Sequence, residues 1–548
     1  AREPLNQNPM TSIFLRLARP LRRSFWTRLR IVLSSRGHGA FEGDYATWLG
    51  SRAQLTDEDL RYMETQPDTW TRQPRVLVFA EPELLPDELA ALKQNLQRQP
   101  YPHWKLLTVA PQQAVEVLGA MEREPRDLVI FASRGMVFPQ RALFCFAAAF
   151  ARKRAPLVAY GDEDRINSQG LRTRPQFKPD WSPESFEHRD YISSSCAISA
   201  DWLAGRKPGT LLAQVLAKLV TQDNVAAPRH IPQVLVSRLE PSTTTEAAEA
   251  KRPPRKLSES PPSVTILIPT RDRPADLKTC VESLLELTEY PDFTVRIIDN
   301  GSALPETKAL LSELAAHKKV KVISDPQPFN FAAINNLAAK QASGELLCFL
   351  NDDTRIHQGD WLGQLVLLAT KEAVGAVGPM LLYPDHSIQH AGVFIGTGPL
   401  GLAGHLHRGR DPKDPELAGY VDRVQNVSAV TGACLVVRRS TFDQVEGFDE
   451  RLSVCYNDVD LCLRISALGL RNVWTPLSAL YHNENVSAVV ERSEAAESRY
   501  WLEAGIFEER WRDRLKCDPG FHPNLALLGE QLQLADKPRT SLRAATKF

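Results

Sequence analysis

Short apolar runs alternate with helix-length stretches along most of this chain, which restricts it to α/β folds built on a mainly parallel sheet. Arg75-Val-Leu-Val-Phe and Trp104-Lys-Leu-Leu-Thr-Val read as buried strands, with a helix over 86–98 between them. Residues 240–262 break the pattern. They are rich in Ser, Thr, Pro and charge, lack apolar periodicity and read as a linker. The alternation then restarts with Ser263-Val-Thr-Ile-Leu-Ile-Pro, a helix over 274–287, and Thr294-Val-Arg-Ile-Ile ending at Asp299. The two halves look related. Tyr101-Pro-His-Trp before a strand matches Tyr290-Pro-Asp-Phe at an offset of 189, and Asp127-Leu-Val-Ile-Phe aligns with Glu345-Leu-Leu-Cys-Phe. The expected organisation is a helical amino-terminal stretch (1–74), a first α/β domain (75–240), the linker (241–262), a second α/β domain (263–490) and a helical carboxy-terminal extension (491–548).

Lys plus Arg and Asp plus Glu both number 66, so no net field recruits nucleic acid. The eight cysteines form no C-x-x-C pair and several sit in apolar runs such as Leu347-Cys348-Phe349. They read as buried thiols of a reducing compartment, not as a disulfide or zinc framework. The longest apolar run, Ala142 to Ala151, is well short of the ~18–20 residues that span a bilayer. With no signal peptide legible, a cytosolic protein is expected. Residues 12–33 place Ile13, Leu17, Leu21, Phe25 and Leu29 at near-helical spacing among arginines. Such a basic amphipathic segment suits either an anionic membrane surface or a packed helix kinked at Pro20. The expectation that follows is a cytoplasmic protein, peripheral on the inner membrane face if the segment binds lipid.

Carboxylates gather where strands of the second half end. Asp299 closes one strand, Asn351-Asp352-Asp353 closes another, and Tyr456-Asn457-Asp458-Val459-Asp460 opens a helix. In open α/β sheets ligands bind beyond the carboxyl ends of the strands, so acidic groups at two such ends converge on one crevice.

The second half resembles the family 2 glycosyltransferases of GT-A fold. The resemblance rests on Ile268-Pro-Thr-Arg-Asp-Arg-Pro, Asp299-Asn-Gly-Ser, Pro328-Phe-Asn-Phe-Ala-Ala-Ile-Asn-Asn, Phe349-Leu-Asn-Asp-Asp-Thr, Thr431-Gly-Ala-Cys-Leu-Val-Val-Arg-Arg, Gly447-Phe-Asp-Glu, Asn457-Asp-Val-Asp-Leu-Cys-Leu-Arg and Leu480-Tyr-His, in order. The whole chain looks like two-domain members that build bacterial O-antigens and related surface polysaccharides, rhamnosyltransferases among them. The resemblance implies a Rossmann-like GT-A domain preceded by a degenerate GT-A-like one. It implies transfer, with inversion, of a hexose or deoxyhexose from a dTDP- or UDP-sugar to a lipid-linked glycan, with Mg²⁺ or Mn²⁺. A divalent cation neutralises the departing diphosphate, and a separate carboxylate takes the acceptor's proton. Carried over residue by residue, Thr270, Asp299 and Asp352 contact the nucleotide, Asp353 and His482 bind the metal, and Asp458 is the base. The Glu that usually precedes this base is Asn457 here.

Other readings compete. Strand-end carboxylates often serve as turns or caps. Asp460 and Arg464 have the spacing of a structural helix pair. His386, His390, His405 and His407 read as a loop near the acceptor, without the cysteines of a zinc site. Gly396, Gly398, Gly401 and Gly404 read as a flexible lid or a surface loop. In the first half Ala110 falls opposite Asp299, Ser133-Arg134-Gly135 opposite Asn351-Asp352-Asp353, and Glu81 opposite Thr270. Asp162, Glu163 and Asp164 are then structural or acceptor contacts, and residues 200–238 are too short for a second acceptor half. The alternative to an enzyme is a non-catalytic glycan-binding scaffold. A nucleotidyltransferase is disfavoured, because the loop after Thr270 lacks glycine.

Overall fold

The computed structural model describes residues 41–546 apart from 53, 222–225, 241–256, 484–493 and 528–530. The basic segment 12–33 and most of the linker lie outside the described residues. Beyond residue 38 the chain divides into two compact units. The first is residues 39–252 with 521–526 and 533–548; the second is residues 253–520 with 527–532. The helices Phe41–Arg52 and Asp57–Thr65, within the expected helical stretch 1–74, therefore belong to the first unit. The carboxy-terminal extension is shared, its helix Glu494–Trp511 going to the second unit and its last residues to the first.

The first unit holds β1 (Val76–Ala80), β2 (Trp104–Thr108), β3 (Leu128–Ala132), β4 (Met136–Val137), β5 (Val158–Ile166), β6 (Arg172–Gln176), β7 (Cys196–Ser199) and β8 (Arg229–Leu239). Its sheet runs β2-β1-β3-β7-β5-β8-β4, with β6 beside β5. The second unit holds β9 (Val264–Thr270), β10 (Phe293–Asp299), β11 (Val320–Ser324), β12 (Leu346–Leu350), β13 (Thr354–Ile356), β14 (Val374–Leu382), β15 (Ile388–His390), β16 (Val393–Ile395), β17 (Ala403–His405), β18 (Gln425–Val427), β19 (Cys434–Arg438) and β20 (Arg471–His482). Its sheet runs β11-β10-β9-β12-β19-β14-β20-β13, with β15 beside β14 and β18 beside β20.

Set against each other, the two orders coincide from β2 and β10 onward, and so do the strand directions. In each, the first three strands are parallel. The next is antiparallel to both neighbours. A parallel pair and an antiparallel edge follow. Register agrees as well. Val76 pairs with Trp104 and Leu128, as Val264 pairs with Phe293 and Leu346. Counting from these rows, Asp299 falls with Ala110 and Asp352-Asp353 with Arg134-Gly135. Thr270 falls with Pro82, one position from the Glu81 that sequence comparison pairs with it. The second unit adds the helix Pro305–Ala315 and the edge strand β11. Between β7 and β8 the first unit has only the helices Ala200–Ala204 and Leu212–Thr221 among the described residues.

β1 and β12 are buried at all five positions, as continuous apolar runs covered on both faces must be. Six of the eight free cysteines are buried, whereas Cys517 is exposed. Because β9, β10 and β12 are parallel, Thr270, Asp299 and the residues after Leu350 all emerge at one end of the sheet.

Candidate active site of the second unit

At that end Asp299 and Thr270 are ladder partners. Asp299 Oδ1 accepts the Ser302 amide at 2.9 Å, and the Ser302 hydroxyl accepts the Asp272 amide at 3.1 Å. Asp272 sits at φ +51, and its carboxylate accepts the Ala303 and Leu304 amides at 2.9 and 2.8 Å. These turns tie the loops after β9 and β10 together and present Arg273, the residue before the helix Pro274–Leu287. The Arg273 guanidinium lies 3.2 Å from Asp353 Oδ2, 3.7 Å from Asp352 Oδ1 and 3.0 Å from Asp276 Oδ2.

Thr270 donates its hydroxyl to Asp352 Oδ2 at 2.7 Å. Burial pushes the Asp352 carboxyl up to about 6, partly offset by that hydrogen bond. Asp353 goes the other way. Burial disfavours its charge, but His482 and Arg273 outweigh burial and hold it below the usual carboxylate range.

His482 closes β20 and approaches Asp353 Oδ1 to 2.9 Å. Its Nδ1 faces Gln389 Oε1 at 2.6 Å, while the same amide's nitrogen donates to the His482 carbonyl at 3.4 Å. Nδ1 therefore carries the proton. Nε2 is then the atom that faces the carboxylate: protonated, it pairs with Asp353 directly, and in the neutral ring its lone pair and the carboxylate oxygen could hold a cation between them. The carboxylate suits Mg²⁺ or Mn²⁺, and an imidazole with a hydrogen-bonded second layer favours the transition metal, Mn²⁺, over Mg²⁺. The residues present fit the expected cation.

Asp458 opens the helix Asn457–Ala467. Its Oδ2 accepts the Gly432 amide at 2.8 Å and its Oδ1 the Val459 amide at 2.8 Å. Gly432 leads into β19, whose Cys434 pairs with Leu350. Asp458 thus lies at the same sheet end as Asp352 and Asp353. Burial raises its carboxyl above the ordinary value, against the pull of these amides. Asp460 is fully buried and pairs with Arg464 Nε at 2.7 Å, so it is structural.

All six residues singled out from sequence thus meet at one end of the sheet. Arg273 and Gln389 were missed. Arg273 stood in the quoted motif without a role, and Gln389 gave no signal. The histidine cluster divides into a His390–His405 contact (Nδ1 to Nδ1, 3.1 Å) and a His386 contact to the Tyr481 hydroxyl at 2.6 Å. The glycines around 400 lie in and beside the hairpin β16–β17, where a Cβ on Gly398 would stand 2.8 Å from the Ala403 carbonyl oxygen.

The first unit differs at the equivalent positions. By strand register Arg238 takes the place of His482, since Met136 pairs with Arg238 as Thr354 pairs with His482. Arg238 bonds the Ser133 hydroxyl at 3.1 Å and the Ser194 carbonyl at 2.9 Å. Asp162, His230 and His522 bring three potential ligand atoms together in this unit. Hydrogen bonding accounts for them. The Asn524 amide donates to His522 Nδ1 at 3.1 Å, which leaves Nε2–H to donate to Asp162 at 2.8 Å. His230 lies between Asp162 at 3.1 Å and Asp180 at 3.0 Å and donates to both. No ring nitrogen keeps a lone pair for a metal. Burial opposes charging His230, but the two carboxylates prevail and push it up to about 9.

Residues 265–445 match the family model described as "Glycosyl transferase family 2". The O-antigen biosynthesis protein RfbC of Myxococcus xanthus is 36% identical over 77% of this chain and 35% of its own length. Uncharacterized protein y4gI of Sinorhizobium fredii (strain NBRC 101917 / NGR234) is 35% identical over 68% of this chain and 45% of its own. Rhamnosyltransferase WbbL of Escherichia coli (strain K12) is 26% identical over 40% of this chain and 83% of its own. The chain spans less than half the length of the first two relatives.

Proposed function

Residues 265–445 form a glycosyl transferase family 2 domain, and from that premise we propose that the second unit is an inverting, cation-dependent transferase of surface-polysaccharide synthesis. The observation that carries this reading is the grouping at one sheet end of a cation-suited pair, Asp353 and His482, with a separately held carboxylate, Asp458. Thr270, Asp299 and Asp352 would line the nucleotide of a dTDP- or UDP-sugar. Asp353 and His482 would hold Mg²⁺ or Mn²⁺, which when bound supplies positive charge to the diphosphate leaving group. Arg273 adds a fixed positive charge on the same side. Asp458, with a raised carboxyl and both oxygens oriented by amides, is suited to accept the acceptor hydroxyl's proton as the new glycosidic bond forms. The relatives' names favour a sugar acceptor destined for a surface glycan, lipid-linked in this reading, and a hexose or deoxyhexose donor. The first unit, with Arg134, Gly135 and Arg238 at the cation positions, is in this reading a degenerate copy without activity of its own.

The test is a donor screen with the purified protein and Mg²⁺ or Mn²⁺, read as nucleoside diphosphate release upon transfer. Asp458→Asn should lower kcat by about 10²–10⁴-fold while nucleotide binding persists. Transfer that survives this change would remove Asp458 as the base.

A further inference from the structure

The loop that delivers Asp458 does not hold itself. Residues 453–455 have no regular structure of their own, and Tyr456, which follows them, sits in the left-handed region at φ +61. For a bulky residue that backbone is strained and persists only when its surroundings impose it. Those surroundings come from the carboxy-terminal helix Glu494–Trp511. Glu503 is 1% exposed, and its carboxylate lies under this loop. Oε1 accepts the Ser453 amide at 3.0 Å and the Ser453 hydroxyl at 2.5 Å. Oε2 accepts the Val454 amide at 3.2 Å and the Cys455 amide at 2.6 Å. Four donors from three consecutive residues thus converge on one buried charge. Phe507, one helical turn further on, stacks on Tyr456 with ring centroids 4.9 Å apart and planes within 19°. Arg510 and Trp511, a further turn along, bond the buried Asp460 at 2.6 and 2.9 Å. The helix therefore grips the segment on both sides of Asp458.

We propose that Glu503 is a positioning residue for the transfer reaction, fixing the 453–456 turn and through it the Asp458 carboxylate. This rests on the reading of Asp458 as the base. A carboxylate organises this turn from outside the motif, while the motif's own position 457 carries an amide that bonds the Val454 carbonyl at 3.0 Å. Glu503→Gln keeps the shape of the side chain and removes the charge that four donors share. A misplaced base affects the chemical step and not donor binding, so kcat should fall about 10- to 100-fold with donor KM unchanged.

The test uses the full chain. Hydrogen–deuterium exchange of the 453–458 amides and steady-state kinetics are measured for wild type, Glu503→Gln and the charge-keeping Glu503→Asp. The expected result is faster exchange confined to 453–458 and a kcat loss in Glu503→Gln, with partial rescue in Glu503→Asp. Unchanged exchange and unchanged kcat in Glu503→Gln overturn the inference, as does an equal rise of KM and fall of kcat/KM with kcat intact. If Glu503→Gln does not fold, Glu503→Asp is read alone: loosened 453–458 amides with native kcat overturn it, and loosened amides with a lowered kcat support it. Asp458→Asn in parallel separates the two ideas. If that variant retains transfer, the base assignment fails, whatever Glu503 does to the exchange of the loop.

Discussion

Gln389 shows how much one uncharged residue can decide. Its oxygen fixes the Nδ1–H form of His482 and so turns Nε2 toward Asp353. Gln389→Leu should weaken Mn²⁺ binding in the presence of a nucleoside diphosphate about 10- to 100-fold, measured by calorimetric titration. Unaltered affinity would separate the imidazole from the cation. Asp353, Asp458 and His482 could be singled out in the chain because each lies at or beside the end or start of an element, within a stretch that resembles the family. Gln389 could not, because its partner lies 93 residues away and neither backbone nor composition marks the pair. Arg273 depends likewise on the turn that Asp272 makes at φ +51, a conformation that no sequence pattern announces.

Among the elements, the hairpin β16–β17 is where composition misled. Glycines signal backbone freedom when read alone, yet here they permit close approach. Gly398 lies at φ +77, its added Cβ would meet a backbone oxygen, and the facing Gly404 would meet the Gly398 amide nitrogen at 2.8 Å. Neither obstacle is a flexible side chain. Gly398→Ala should destabilise the second unit by roughly 1–3 kcal/mol, seen as a lower urea midpoint. Gly419→Ala, also at positive φ (+84) but with nothing near its Cβ, should lose about 1 kcal/mol. Equal losses would show that backbone torsion, not crowding, governs the hairpin. The strands were easier to read. Runs such as Leu346–Leu350 are buried throughout, and apolar runs bounded by turns are what the alternation detects. The helix Glu494–Trp511 falls within the expected helical extension over 491–548, but nothing in that stretch announces that Phe507 and Trp511 reach Tyr456 and Asp460.

Among the described residues one strand plan occurs twice, and the register positions of Asp353 and His482 carry Gly135 and Arg238 in the other copy. Asp353→Asn in the full chain should therefore abolish every trace of donor turnover, including slow hydrolysis, in a sensitive nucleoside diphosphate assay. A residual rate that also survives Asp353→Asn combined with Asp458→Asn would place activity in the first unit. That unit should also respond to pH on its own terms. His230 is raised in the folded state to about 9 from an ordinary value near 6.5. Its stabilisation is thus complete below about 6.5 and is lost as pH climbs through 9, on the order of 3 kcal/mol. The urea midpoint of the first unit, read by protease cleavage of its peptides, should fall over that window in wild type and stay flat in His230→Gln. The kinship of the halves was legible in two short matches, but the register that pairs Arg238 with His482 was not, because it passes through partners far apart in the chain.

The first unit draws on residues 521–526 and 533–548, among them His522, which completes the hydrogen bonds of Asp162, and Leu542, which lies in its apolar core. On the ribosome, then, the half translated first waits longest. It leaves the exit tunnel with a gap in its core and a buried acid short of one partner, and stays unfinished while the following half is made. Chaperone demand should concentrate on that interval, and chains ending near residue 520 should carry a nearly complete second unit beside an unsealed first one.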